Sequence, residues 1–533
     1  MSIMLRRWFL LPLAIAQLAA QAVPERGSLE GQVVNQRTGA PIAGAQLKLF
    51  GSDGSRTQGA ADRKGRFTFS GLEAGPYHLE AERVGFVPLP WSRTVLTLAA
   101  GEQIKDFTVR LTPQAAISGT LLDAEGAPAA NVYMYVLQPT WRNGKRVLTT
   151  AGGAQSNDAG EFRIAGLATG DYLLRAQPRE LAVPPGEDKI KRIYVATWYP
   201  GVTEPGAAAA LHLAAGDERT GLAFTLRAST VVKVRGRVVR PPAKPETGGA
   251  IVELMPVDDP VGMDFAGIAQ TNGPEGAFTI PDVPPGSYRI QAQLIDLTAM
   301  QRGLQNMPTA SQVIQVSDAD VEGIILNPAP PQTLSGFVKW DGKPPTDAGP
   351  CLVSLQSESR VLMSNLPPTT TKADGTFSLE VAPGRFDLNV YCEAKGSYMK
   401  AARLGDADVL EVGIDGAEAL PAGPLQVTMA TGAGEIEGSV LDADSHPVSG
   451  ATVVVIPDAS KRALFHSDIT DQHGRFKLSD IVPGAYSLYA WDQLEDEAWR
   501  SDDFIKKYDD RRKRVHLDAG GRETLQLQLI KAE

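Results

Sequence analysis

One short unit recurs five times along this chain, and this recurrence constrains the fold more than any other feature of the sequence. Each copy contains, in the same order, a Gly that opens an apolar strand, a polar turn that leads into Gly-x-Phe, and a Gly followed two residues later by an aromatic residue. The third signatures are Gly75/Tyr77, Gly170/Tyr172, Gly286/Tyr288, Gly384/Phe386 and Gly484/Tyr486. The Gly residues of the second and third signatures lie 10, 10, 10, 9 and 10 residues apart, whereas those of the first and third lie 44 to 51 apart. Each repeat therefore holds a rigid hairpin between loops of more variable length.

The pattern within each repeat predicts an antiparallel β-sandwich. Asp or Asn with Gly turns the chain, and an alternating strand such as Phe67-Thr68-Phe69 follows the turn. About seven short strands in roughly 90 to 115 residues must bury one sheet against another. With 53 Gly and 38 Pro to supply turns, the 533-residue chain is predicted to be all-β, a tandem array of about five antiparallel Ig-like or prealbumin-like sandwiches. The predicted domains cover 27–113, 115–229, 230–330, 331–432 and 433–533.

The repeats resemble the carboxypeptidase regulatory-like family of prealbumin-like sandwiches, which are related in shape to Cna-B and starch-binding-type domains. The resemblance rests on the opening motif, which reads GQVVNQRTGAPIAGA over 31–45 and GSVLDADSHPVSGA over 438–451, and on the two later Gly signatures. It implies modules that accompany enzymes, receptors or surface proteins and usually have no catalysis of their own. Fold alone does not choose among binding, spacing and stabilising.

The first 22 residues have the pattern of a secretory signal peptide. Arg6 and Arg7 precede an apolar run over 8–16, and the small-residue triplet Ala20-Gln21-Ala22 follows. The apolar run is too short to span a bilayer, which needs roughly 20 residues. We therefore expect cleavage after Ala22, no transmembrane segment in the mature chain, and a location in the periplasm, at the cell surface or outside the cell.

Charge and missing motifs exclude several classes of function. The formal charge is −10, which repels nucleic acid. None of the six His residues has Glu at the three-residue offset that a zinc carboxypeptidase would need, and H-E-x-x-H, G-x-S-x-G and C-x-x-C are also absent. His446, His466 and His473 cluster in the last repeat, where solvated turn histidines are the alternative to a metal site. We therefore expect that the protein is not an enzyme and that it binds no cofactor and no metal.

The two cysteines of the chain are predicted to form a disulfide. Both Cys351 and Cys392 lie in the fourth repeat, one at the start of a strand and one at the end of another. An exported chain meets oxidising conditions, in which such a pair closes. Two buried free thiols are the alternative.

A stretch in the fifth repeat, 491–514, breaks the strand rhythm. Its apolar residues recur near helical spacing, so one or two short helices are expected within 495–514, the second beginning at Asp502 and Asp503 after Ser501. Two roles are open for this segment: a flap that covers the end of the sandwich, or a docking surface for a partner or glycan. The candidate surface residues are Trp491, Trp499, Phe504 and Tyr508.

Two functions follow from these observations. The first is an exported, non-catalytic scaffold or adhesion-type protein that binds or spaces protein partners. The second is a carbohydrate-binding protein of the starch-binding-like fold, in which scattered Trp residues would stack on a cell-surface glycan; their alternative role is core or inter-domain packing. The Trp residues in question are Trp91, Trp141, Trp198, Trp491 and Trp499.

Overall fold

The computed structural model describes residues 25–531 apart from 90–93, 143, 179–182, 184–189, 240–248, 258–265, 272–274, 296–307, 358–366, 459–464, 493 and 495–496. The predicted signal peptide, Trp91 and the first two residues of the predicted helical insertion lie outside the described residues. Strands dominate the described part, and they form five two-sheet sandwiches in series, here numbered module 1 to module 5. The all-β tandem architecture predicted from the repeats is confirmed.

Modules 1 and 2 occupy the first part of the chain. Module 1 packs the sheet β4-β1-β7 on the sheet β3-β2-β5-β6, and module 2 packs β11-β8-β16 on β10-β9-β12-β14, with β15 paired to β12 and a separate pair β13-β17. The bounds in module 1 are β1 (Gly27–Asn35), β2 (Gln46–Gly51), β3 (Arg56–Ala60), β4 (Arg66–Leu72), β5 (Gly75–Glu82), β6 (Val95–Leu98) and β7 (Gln103–Leu111). The bounds in module 2 are β8 (Ala115–Leu122), β9 (Tyr133–Arg142), β10 (Lys145–Gln155), β11 (Glu161–Leu167), β12 (Gly170–Gln177), β13 (Arg192–Val195), β14 (Thr197–Trp198), the 3-10 helix η1 (Pro205–Ala207), β15 (Leu211–Leu213), β16 (Glu218–Thr225) and β17 (Arg227–Thr230).

Modules 3 and 4 repeat the plan with local additions. Module 3 packs β21-β18-β24 on β20-β19-β22-β23, and module 4 packs β28-β25-β33-β30-β31 on β27-β26-β29-β32. The bounds in module 3 are β18 (Val232–Val238), β19 (Ala250–Pro256), β20 (Gly267–Gln270), β21 (Ala277–Val283), β22 (Gly286–Leu294), β23 (Thr309–Val316) and β24 (Val321–Leu326). The bounds in module 4 are β25 (Gln332–Trp340), β26 (Leu352–Ser357), β27 (Thr369–Thr370), β28 (Thr376–Val381), β29 (Arg385–Tyr391), β30 (Ser397–Leu404), β31 (Ala407–Asp408), the helix α1 (Val409–Val412), β32 (Ile414–Asp415) and β33 (Leu425–Thr431).

Module 5 carries the helical insertion. Its sheets are β37-β34-β40 and β36-β35-β38-β39, and the insertion lies between β38 and β39. Within the described ranges, no helix of the chain reaches the length and apolarity that a membrane crossing requires. The bounds in module 5 are β34 (Gly434–Leu441), β35 (Thr452–Pro457), β36 (His466–Ile469), β37 (Arg475–Ile481), β38 (Gly484–Trp491), the 3-10 helix η2 (Ala498–Arg500), the helix α2 (Asp502–Ile505), the 3-10 helix η3 (Lys506–Arg511), β39 (Lys513–Leu517) and β40 (Arg522–Gln528).

The opening strand of every module pairs in parallel with the closing strand of the same module, and this was not expected from the sequence. The five parallel pairs are β1·β7, β8·β16, β18·β24, β25·β33 and β34·β40, whereas the other named pairs are antiparallel. The pairing explains the first Gly signature. A Cβ at Gly119 would lie 1.9 Å from the carbonyl oxygen of Leu222, and the equivalent clash at Gly438 would be 1.8 Å, so only Gly admits the closing strand.

The third signature places a Tyr hydroxyl on the preceding turn. The hydroxyls of Tyr77, Tyr172 and Tyr288 donate to carbonyl oxygens four residues earlier at 3.0, 2.9 and 2.8 Å. Burial raises the pKa of Tyr288 to about 12. Each Tyr therefore fills the core with its ring and fixes the turn with its hydroxyl. In module 4 the position is Phe386, which has no hydroxyl to make this bond.

Each sandwich has its own hydrophobic core among the described residues. Alternation along the strands produces it: Phe67 and Phe69 of β4 are buried, whereas the Thr68 side chain between them is exposed. The cores run from Leu29 to Leu111, Ala115 to Leu226, Val232 to Leu326, Leu334 to Met429, and Ile436 to Leu527.

Candidate functional site

The four aromatic residues proposed as a binding surface come together where the end of β38 packs against the insertion of module 5. Ring centroids are 5.6 Å apart for Trp491 and Tyr508 and 5.2 Å apart for Phe504 and Tyr508. Trp491 is fully buried, Trp499 and Tyr508 are each 8% exposed, and Phe504 is partly buried. Together with Tyr489 and other apolar residues, they form a second apolar cluster beside the core of module 5. This packing is what a flap over the sandwich would need, and a role in binding stays a prediction.

The helix α2 begins where the sequence indicated, at Asp502 after Ser501. The Ser501 hydroxyl accepts a hydrogen bond from the Phe504 N–H at 3.4 Å, and Asp502 and Asp503 occupy the first turn of α2. A hydroxyl at the cap and acidic groups beside the first free amides both favour this start.

The insertion also contacts module 2, a role that the sequence did not indicate. The Phe504 ring lies edge-on to Trp141 of β9, with centroids 6.2 Å apart. At the tip of the β9–β10 hairpin, a Cβ on Gly144 would lie 2.4 Å from the carbonyl oxygen of Arg500 in η2. Residues more than 350 positions apart in the chain thus meet here, and no local pattern marks the pair.

The predicted disulfide is confirmed. Cys351 and Cys392 are bonded, with their Cα atoms 4.3 Å apart, and both residues are buried in the core of module 4. Cys351 immediately precedes β26 and Cys392 immediately follows β29, the strand that pairs with it.

The three histidines of the last repeat do not form one metal cluster in the described part of the chain. There, the group of possible ligands that meets the geometry for a shared ion is Asp442, Asp444 and His446, without His466 or His473. One oxygen of Asp442 accepts the backbone N–H groups of both Asp444 and His446 at 2.9 Å, so this carboxylate shapes the turn.

A cleft of about 1060 Å³ lies between module 1 and module 5. The outer face of the sheet β37-β34-β40 forms its floor, with Ser439, Arg475 and Gln526 side by side in register. The strands β5 and β6 of module 1 form its wall, to which His78 and Val95 belong. Polar side chains from two modules converge on this cleft, which makes it a candidate ligand site.

The Asp-x-x-Gly turn of the fifth repeat bonds to module 1 beside the cleft. The Gln472 side-chain oxygen accepts the Thr97 N–H at 2.9 Å, and its amide donates to the Thr97 carbonyl at 2.6 Å. Next to it, the His473 ring nitrogen lies 3.5 Å from a Glu102 oxygen. The sequence predicted this turn but gave no sign that its side chains would reach module 1.

Two titratable groups of β36 are shielded from solvent beside the cleft. Burial raises the pKa of Asp468, although its carboxylate accepts the N–H groups of Lys477 and Ile469 at 2.9 and 2.8 Å. Burial lowers the pKa of His466, an effect that the nearby Asp480 partly offsets. Both groups are therefore biased toward their neutral forms.

Comparison with known proteins finds a family match for the outer modules. The carboxypeptidase regulatory-like domain matches residues 28–112 and 435–529, the two repeats whose opening motifs are most complete. No curated protein matches the chain. Among solved structures, the minor pilin GBS52 of Streptococcus agalactiae is 14% identical, with 42% of this chain and 99% of that chain covered and a TM-score of 0.23. BcpA, the major pilin subunit of Bacillus cereus, is 13% identical, with 95% and 99% covered and a TM-score of 0.16.

Proposed function

Because its first and last modules are carboxypeptidase regulatory-like domains, with three more sandwiches between them, we propose that this chain is an exported, non-catalytic scaffold that binds and spaces protein partners. The observation that carries the proposal is the series of five separate cores. Since each module buries its own apolar residues, the outer faces of its sheets are left for other molecules. The Cys351–Cys392 disulfide supports an oxidising location, and the pattern of the first 22 residues supports export.

Export is tested by fractionating cells of the source organism that carry a C-terminally tagged chain. We expect the protein outside the cytoplasm, with a mature N-terminus at Val23 and no thiol open to alkylation before reduction. A cytoplasmic protein with two alkylatable thiols would contradict the proposal.

Partner binding is tested by placing a photo-reactive amino acid at one exposed apolar position in each of modules 2, 3 and 4. Tyr133, Ile268 and Tyr391 are suitable, being 45%, 61% and 67% exposed. A scaffold should give defined protein adducts from two or more of these positions in intact cells. The absence of adducts from all three would count against a role in protein binding.

Carbohydrate binding is the second candidate, and one observation favours it. The rings of Tyr133 and Tyr135 lie 6.4 Å apart with 17° between their planes, on the outer face of β9. Parallel aromatic rings on a sheet surface present the apolar faces on which sugar rings pack. Pull-down with β-glucan, starch and chitin tests this role: retention that is lost in Y133A/Y135A but kept in Y391A would support it.

A further inference from the structure

We infer that the cleft between modules 1 and 5 binds an extended peptide segment that carries a carboxylate side chain. This inference rests on the proposed function, since it names the class of protein partner at one defined place. Three features of the cleft carry it: a strand edge, an arginine on its floor and the chemistry of its lining.

The strand edge belongs to β6, the last strand of its sheet. The Leu79 N–H donates to the Thr94 carbonyl at 3.1 Å, so Thr94 faces the neighbouring strand. Alternation then directs the backbone groups of Val95 and Thr97 away from the sheet. Those of Val95 have no hydrogen-bond partner among the described residues, and Val95 lines the cleft. A free edge of this kind pairs with an extended chain.

Gln472 shows that this edge accepts such a partner. Its amide both receives the Thr97 N–H and donates to the Thr97 carbonyl, which are the two bonds that a residue of an added strand would make. A peptide that enters the cleft at Val95 would continue the row of hydrogen bonds that Gln472 begins.

The arginine is Arg475, on the floor of the cleft. Its guanidinium has no hydrogen bond or ion pair within the part of the chain that the structure describes, and the flanking Ser439 hydroxyl and Gln526 amide are likewise unpaired there. Three carboxylates also line the cleft, and each already accepts hydrogen bonds. Asp471 accepts the N–H groups of His473 and Arg475 at 2.9 Å, Asp468 accepts those of Lys477 and Ile469, and Glu437 accepts the Thr524 hydroxyl at 3.4 Å. A free guanidinium binds a carboxylate through two parallel hydrogen bonds, which the neighbouring hydroxyl and amide would extend.

The lining favours a peptide over an acidic glycan. A polysaccharide does not offer the backbone N–H and C=O groups that the free edge at Val95 would pair with. No Trp or Tyr ring is present among the described lining residues to stack on a sugar. The free edge at Val95 and the guanidinium of Arg475 together match an extended peptide with one carboxylate side chain placed at Arg475.

The test measures the binding of a fluorescein-labelled Thr-Val-Glu-Val-Thr-Val peptide to the mature chain by fluorescence anisotropy. A peptide with Gln in place of Glu and a galacturonate hexamer serve as comparison probes. We expect the Glu peptide to bind about tenfold more tightly than the Gln peptide, and R475A to remove this difference. The matched control is R66A in module 1, because Arg66 occupies the equivalent position after the same type of turn. The Arg66 N–H donates to Asp62 as the Arg475 N–H donates to Asp471, but Arg66 does not line the cleft.

A second variant, V95P, tests the strand edge. Proline removes the outward N–H and is tolerated in edge strands, so both peptides should bind more weakly while the preference for Glu remains. Thermal melting checks that each variant is folded. If V95P does not fold, the comparison of R475A with R66A decides the test.

Equal binding of both peptides, equal effects of R475A and R66A, or tighter binding of the galacturonate hexamer that depends on Arg475 would overturn the inference. If the labelled peptide does not bind but the photo-adducts from modules 2, 3 and 4 are still formed, this inference fails and the proposed function stands. If those adducts are also absent, the proposed function and this inference both fail.

Discussion

At the scale of single residues, each sandwich depends on its opening Gly, because a Cβ at that position would clash with a backbone carbonyl oxygen of the closing strand. Gly119 is the clearest case, since an added Cβ would sit 1.9 Å from the Leu222 oxygen. We expect G119A to destabilise module 2 by about 3 kcal/mol, the range of forced overpacking, and to lower the melting temperature of that module in calorimetry. The control is G206A in the same module, where a Cβ meets nothing within 4 Å; an equal effect of the two variants would contradict the explanation.

His466 predicts a pH dependence of module 5. Burial lowers its pKa below the ordinary value of 6.5, so the unfolded chain takes up the proton first as the pH falls. The stability that neutral His466 contributes is therefore present above pH 6.5 and is lost as the pH falls from there toward the folded pKa. We expect the melting temperature of module 5 to fall less between pH 7 and pH 5 in H466Q than in the natural protein.

The comparison of H466Q with the natural protein isolates His466, because the nearby Asp468, whose raised pKa acts in the opposite direction, is present in both. H212Q, at a histidine of module 2 whose side chain is 74% exposed, is the control. A pH profile of H466Q parallel to that of the natural protein would show that the buried histidine is not responsible.

At the scale of elements, the disulfide joins the ends of two paired strands in module 4. It closes a loop with a sequence separation of 41, which the chain-entropy model values at roughly 4 kcal/mol. Module 4 is also the one whose third signature lacks the Tyr hydroxyl, at Phe386. We expect reduction, or the double variant C351A/C392A, to lower the melting temperature of module 4 and leave module 3 unchanged.

The aromatic insertion is the second element whose role can be measured. Trp499 and Tyr508 are nearly buried, so replacing them by Ala creates cavities and should cost about 3 kcal/mol or more of the stability of module 5. Lower thermal stability with unchanged partner capture supports the flap. Unchanged stability with lost capture supports the docking surface. Y391A, at an exposed Tyr of module 4, controls for the loss of an aromatic ring.

At the scale of the whole molecule, the junctions predicted near 114, 330 and 432 follow the last strands of modules 1, 3 and 4, whereas the junction predicted near 229 falls inside β17, which pairs with β13 of module 2. Limited proteolysis followed by denaturing electrophoresis should release fragments of roughly 100 residues, because exposed connections between cores are cut before strands. A resistant fragment that spans two junctions would contradict the division.

The modules do not form a simple linear string, because module 5 contacts both module 1 and module 2. Gln472 bonds to Thr97 across 375 positions of the chain, and Phe504 meets Trp141 of the second module. These contacts bring the ends of the array together, and the cleft exists only because they do.

The sequence alone determined the number of repeats, the all-β class, the disulfide and the start of the short helix at Asp502. These features depend on local periodicity, on turn chemistry and on a single possible cysteine pair, all of which can be read along the chain. Only the tertiary structure decided that the closing strand runs parallel to the opening one, that Trp491 and Tyr508 are buried, and that Gln472 reaches Thr97. The physical reason is that these contacts depend on how separate sheets and modules are oriented in space, and a repeat whose signatures recur in the same order in every module carries no record of that orientation.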